Sequence, residues 1–106
     1  MTPLAFPFMR GGYRHELVAR EGDVCLVERG GGAHYEIVVL RHRSAESFPN
    51  GDSLPAREGY PKTSEWGEFG WSYVSREKAE GWYQTICRRE RSRRRSRTAL
   101  GMGSGV

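Results

Sequence analysis

Seven arginines lie within eleven residues near the end of the chain: Arg88, Arg89, Arg91, Arg93, Arg94, Arg95 and Arg97. A guanidinium group pairs bidentately with phosphate, and each phosphate neutralised releases a counterion. The run is therefore chemically suited to sequence-independent, salt-sensitive affinity for nucleic acid. An acidic protein surface or plain solvation of the chain end would use the same residues. Ser92 and Ser96, set among the arginines, are positions where phosphorylation would weaken such affinity.

The basic charge is confined to this run. From Met1 to Cys87, ten Lys and Arg stand against twelve Asp and Glu, a net charge of −2; from Arg88 onward, seven Arg stand against Glu90 alone, a net +6. The overall pI of about 9.4 thus assigns no nucleic-acid surface to the body, which is mildly acidic.

A second group with recognition chemistry is Phe48, Tyr60, Glu65, Trp66 and Glu68, in a stretch rich in proline, glycine and charge. Aromatics beside cations would suggest base stacking. Here Glu58, Glu65 and Glu68 offset Arg57 and Lys62, so the expected role is contact with a protein partner rather than nucleic acid, although for Trp66 core packing is the first reading and partner contact the alternative.

Catalytic and metal chemistry find little support. His34 and His42 fall on one face of a strand but about 26 Å apart at roughly 3.3 Å per residue, too far to share an ion. A site joining His15 to one of them stays open. Cys25 and Cys87 sit in apolar segments, are not paired as Cys-x-x-Cys, and read as buried free thiols in a reducing compartment. No serine occupies a Gly-x-Ser-x-Gly elbow, and Gly30-Gly31-Gly32 lacks the Lys-Ser/Thr of a phosphate loop. The expectation is no enzyme, no metal and no cofactor. The start, MTPLAFPFMRGG, is broken by Pro3, Pro7 and Arg10 and reads as neither signal peptide nor membrane span, which makes the cytoplasm the expected compartment.

The elements that must position these groups follow from periodicity. Residues 1–12 read as an N-terminal arm. Tyr13, His15, Leu17 and Ala19 share one face of a half-buried strand over 13–20, and Val24 to Arg29 makes its hairpin partner. His34 to His42, with a β-branched centre, is the strongest strand. Between Arg43 and Gly70 periodicity is lost, apart from a turn at Phe48-Pro49-Asn50-Gly51. Gly70 to Val74 is a fourth strand. Ser75 caps a helix, with Glu77 in its first turn and a staple between Val74 and Ala79. Ala79, Trp82, Tyr83 and Ile86 form its apolar stripe. The predicted fold is α+β: an antiparallel meander of about four strands with one C-terminal helix across it. The predicted single domain covers 13–87, and 88–106 is a flexible or helical basic tail.

The segments EGDVCLVER, YEIVVLRHR, FPNGD and SEWG followed by GW-x-Y resemble those of small uncharacterised bacteriophage and prophage proteins. The resemblance covers most of the chain but neither the arm nor the arginine run. It implies an accessory protein that contacts and redirects or inhibits a host protein or nucleoprotein complex, such as a defence system, in the host cytoplasm; it supplies no catalytic residue. The alternative is a nucleic-acid-binding module driven by the arginines.

Overall fold

The computed structural model describes residues 1–104, with side chains through residue 96. Strands β1 (Phe8–Arg10), β2 (Tyr13–Glu21), β3 (Val24–Arg29), β4 (His34–Val39) and β9 (Gly70–Tyr73) form one antiparallel sheet in the order β1-β2-β3-β4-β9. The expected α+β meander is present, with one strand more than anticipated. β1 arises inside the segment taken for an arm, pairing Phe8 with His15. The β2–β3 turn places Gly22 at φ 58°, and the β3–β4 turn uses Gly30, Gly31 and Gly32, all at positive φ, backbone that glycine adopts without steric cost.

One face of the sheet is covered by helix α1 (Arg76–Ser104). The Lys78 amide donates to Ser75 Oγ at 3.3 Å, the expected N-cap. Val24, Leu26, Tyr35, Ile37 and Val39 pack against Ala79, Tyr83, Ile86 and Cys87. Two expectations are corrected here. Trp82 is 51 % exposed and Val74 is 75 % exposed, so Trp82 lies outside the core and the staple to Ala79 does not form. At about 100° per residue, Ala79, Tyr83, Ile86 and Cys87 span roughly 100° of the helix, and Trp82 falls beyond that arc. The small side chains of Ala79 and Cys87 let the helix lie close to the sheet, and the bulky indole turns outward.

The opposite face is covered as well, although the sequence pattern implied that the helix covers one face and the long loop stays free. Cys25, Val27, Val38 and Leu40 are buried beneath Leu4, Phe6, Tyr60 and Trp66. The stretch from Arg43 to Gly70, expected to lack regular structure, contains short pieces. β5 (Arg41–Arg43) pairs with β8 (Arg57–Gly59), β6 (Glu46–Ser47) pairs with β7 (Ser53–Leu54), and a 3-10 turn spans Thr63–Glu65. Strands of two or three residues are too short to register as period-two alternation. The strand expected over 34–42 ends at Val39, and Arg41–Arg43 leaves for the second small sheet. The Thr2 amide donates to the Ala56 carbonyl (3.0 Å) and the Glu58 amide to that of Thr2 (2.8 Å), so the N-terminal segment is fastened to the loop.

A bulge between Leu17 and Ala19 alters the face assignment of β2. Leu17 opposes Val27 and Ala19 opposes Leu26, leaving Val18 as the extra residue. Val18 and Ala19 therefore join the helix-side core, and His15 and Arg20 point to the loop side. The expected common face of Tyr13, His15, Leu17 and Ala19 is interrupted by this one residue.

The two aromatic neighbours on α1 give a direct check. Tyr83, 8 % exposed, should cost about 3 kcal/mol or more when changed to Ala. Trp82→Gln should stay within roughly 0.5 kcal/mol of the parent. Urea unfolding of both variants distinguishes them; equal losses would place Trp82 in the core.

Candidate functional site

The SEWG-x-x-GW-x-Y segment is a clamp between the two layers. Trp66 lies across Gly70, where an added Cβ would sit 2.5 Å from two carbons of the indole ring. Gly67, at φ 93°, donates its amide to the Gly70 carbonyl at 2.8 Å. This tight turn sends Trp66 to the loop-side core and Trp71, beside Ile37, to the helix side. Glu65 ties the turn down: it accepts from Arg43 Nη2 (2.8 Å) and from the Lys62 amide (2.9 Å). Arg41 Nε stands 2.7 Å from its other oxygen but off the N–H axis, an ion pair rather than a hydrogen bond. The Arg43 hydrogen bond, then that of Lys62, holds the Glu65 carboxyl down to about 2.

The five loop residues singled out by sequence therefore separate. Tyr60 and Trp66 pack on the sheet, Glu65 is a strut, and only Phe48 and Glu68 are exposed. Phe48 shares its hairpin with another exposed apolar residue, Leu54; each is 41 % exposed.

Beneath the loop lies a polar cluster that sequence reasoning missed. Glu36 is 5 % exposed and His15 is 3 % exposed. The Tyr60 hydroxyl donates to Glu36 Oε1 at 2.5 Å, His15 Nε2 is 3.6 Å from the same oxygen, and Arg29 Nη1 is 3.5 Å from Oε2. Burial first, then the Glu36 charge, raises the Tyr60 phenol far above its ordinary range. His15 stacks on Phe8 with ring centroids 4.9 Å apart. The available signal was parity: Glu36 shares a strand face with Val38 and Leu40, and a charged residue in a buried row needs partners.

The arginine run forms the second candidate surface. Past Cys87, α1 carries Arg88, Arg93, Arg94 and Arg95 on exposed positions, with Arg89 and Arg91 half-buried; the Arg97 side chain lies outside the described residues. Arg91 pairs with Glu21 at 2.7 Å, and Arg89 and Arg93 both reach Glu90. Arg88 and Arg95 make no ion pair among the described residues. Beside the helix is a groove of about 940 Å³ lined by Arg41, His42, Arg89, Ser92, Arg93 and Ser96, together with Asp23 and Glu90. Arg89 Nη2 is buried there without a hydrogen-bond partner among the described residues.

Asp23, His42 and Glu58 bring one ligand atom each within 4.8 Å of one another. Arg20 already occupies Glu58 at 2.6 Å, and Asp23 Oδ1 is 3.0 Å from His42 Nε2. A permanent guanidinium charge inside the group opposes a metal cation. His15 belongs to the Glu36 cluster instead. Cys25 and Cys87 are free and buried, and burial pushes the Cys25 thiol up to about 12, the reverse of an activated nucleophile. Among the described residues no helix is long and apolar enough to cross a membrane. Against protein-family models, curated proteins and solved structures, the chain has no significant match.

The Glu65 strut makes stability depend on acid in a defined direction. A carboxyl held below its ordinary 4.5 contributes stability that is fully present above that value and is lost as pH falls toward about 2. Glu65→Gln should lower the thermal midpoint at pH 7, and the gap from the parent should narrow steadily as pH drops below 4.5. A gap that does not change with pH would show that the carboxylate is not what fastens the turn.

Proposed function

We propose that the protein is a non-catalytic binding module that engages nucleic acid through phosphate contacts from α1 and the groove beside it. The observation that carries this is the continuation of α1 beyond its last apolar contact, Cys87, with Arg88, Arg93, Arg94 and Arg95 at exposed positions. Helical spacing places these cations on a rigid backbone, so little backbone ordering is needed on binding. The body contributes Arg41 to the groove but is otherwise mildly acidic, so affinity comes from charge and not from base readout.

Fluorescence anisotropy with labelled duplex DNA and single-stranded RNA at several salt concentrations tests this. Affinity should fall linearly on a log–log plot. Changing Arg88, Arg93 and Arg95 together to Gln should reduce the slope by about 3. Among the described residues none of the three forms an ion pair or hydrogen bond with a sheet residue, so the variant should remain folded. Binding unchanged in the triple variant would overturn the proposal.

A second reading, contact with a host protein by an accessory protein of phage type, is favoured by Phe48 and Leu54, exposed together on the β6–β7 hairpin. Two exposed apolar residues on one short hairpin suit a small protein contact better than a phosphate backbone. Under this reading Phe48→Ser with Leu54→Ser should abolish capture of a specific host protein and leave nucleic-acid affinity intact. Capture unaffected by the pair would exclude the hairpin.

A further inference from the structure

At the end of the sheet that carries Tyr13 and Arg29, the loop does not close completely. A cavity of about 360 Å³ remains between the strands and the layer bearing Tyr60 and Trp66, within the roughly 300–1,000 Å³ of small-molecule sites. Its floor is the Glu36 cluster. Glu36 and His15 are both more than nine-tenths buried, and each has committed bonding capacity to the protein. His15 Nδ1 lies 2.9 Å from the Tyr13 carbonyl, and Glu36 accepts from Tyr60.

The rim adds two permanent cations. Arg10 stands over the Tyr60 ring at 5.2 Å and Arg29 over the Tyr13 ring at 4.9 Å. Arg10 donates one N–H to the Pro61 carbonyl at 3.1 Å. Arg29 faces Glu36, but its Nε is buried with no hydrogen-bond partner among the described residues. Glu36 thus pairs with one guanidinium, that of Arg29, while the second, Arg10, lines the same cleft with no carboxylate partner among the described residues. If this network served only to fasten the loop, Tyr60 on Glu36 would suffice. Neither a second arginine nor an open cleft of this size is needed for that.

We propose that this cavity binds a small planar organic anion. Its carboxylate or phosphate is held by Arg10 and Arg29, and its ring lies against Tyr13 and Trp66. Positive excess at the rim selects an acid, because guanidinium matches carboxylate and phosphate geometry. Aromatic walls select a ring. Thr63 and Ser72, which also line the cavity, offer hydroxyls for polar substituents. The site is distinct from the arginine groove on α1.

The test is chemical-shift mapping of the full-length, isotope-labelled protein titrated separately with adenosine monophosphate, benzoate, adenosine and inorganic phosphate. Saturable shifts at the Trp66 indole and the amides of Tyr13, Arg29 and Ser72 are expected with one or both planar acids. The responding arm identifies the acid as phosphate ester or carboxylate. Adenosine and inorganic phosphate should bind on the order of tenfold more weakly, as each lacks half of the recognised chemistry. Arg29→Met should weaken binding by a similar factor. Arg10→Met, at an exposed position, should do the same with an unchanged fold. Absence of saturable shifts in the cavity, undiminished affinity in both variants, or adenosine binding as tightly as its phosphate would overturn the proposal. Shifts confined to α1 beyond Cys87 would also overturn it and leave the nucleic-acid proposal intact.

Discussion

Burial of β3 and β4 on both sides is the constraint from which the rest of the structure follows. Val24 to Val27 are all buried, as are Tyr35 to Leu40. Strands that are apolar in alternate directions cannot leave one face in water, so the sheet requires two covers. Helix α1 supplies the first in a single element. The second is assembled from pieces too small to be stable alone: the N-terminal segment with Leu4 and Phe6, and the stretch from β8 through the 3-10 turn with Tyr60 and Trp66. Such pieces fold because the sheet gives them a common apolar floor.

The two covers are fastened differently. The helix is held by close packing of Ala79, Tyr83, Ile86 and Cys87, with Arg91 on Glu21 beyond. The loop layer has less apolar area and is fixed by directed polar contacts, Glu58 to Arg20, Glu65 to Arg43 and Tyr60 to Glu36. Charged partners at half-buried positions fix geometry more than they add stability. This explains why the loop is rich in charge without being a binding surface for charge: Glu58 is matched by Arg20 of β2 beneath, and Glu65 and Glu46 by Arg41, Arg43 and Arg57 within the layer itself. It also explains the cavity, since a layer placed by struts does not fill the space below it as a helix does.

How far the sequence was legible follows from the length of each signal. The helix with its Ser75 cap, the two hairpins and the β9 strand carry four or more residues of pattern and were readable. The β1 strand and the four short strands of the loop were not, because two or three residues carry no period. The spacing that groups Trp82 with Ala79, Tyr83 and Ile86 does not say where a helix rests on its sheet; the small residues Ala79 and Cys87 decide that, and they leave Trp82 outside. The one signal present but unread was the continuous apolar text of VCLV and IVVL, which implies cover on both faces. It calls for the burial of Tyr60 alongside Trp66 and leaves Glu36 in need of a partner. The bulge at Val18 has no local signature, being set by what β2 must meet on each side.

Helix α1 runs 29 residues without a break, about 43 Å at 1.5 Å per residue, whereas its apolar seat ends at Cys87. Body and basic segment are thus one stiff piece, with no pliable tether between them. Whatever grips the outer turns also dictates the angle and stand-off at which the sheet is presented. A flexible linker would let the two halves search independently; this joint makes them a bracket, and its reach is set by counting turns.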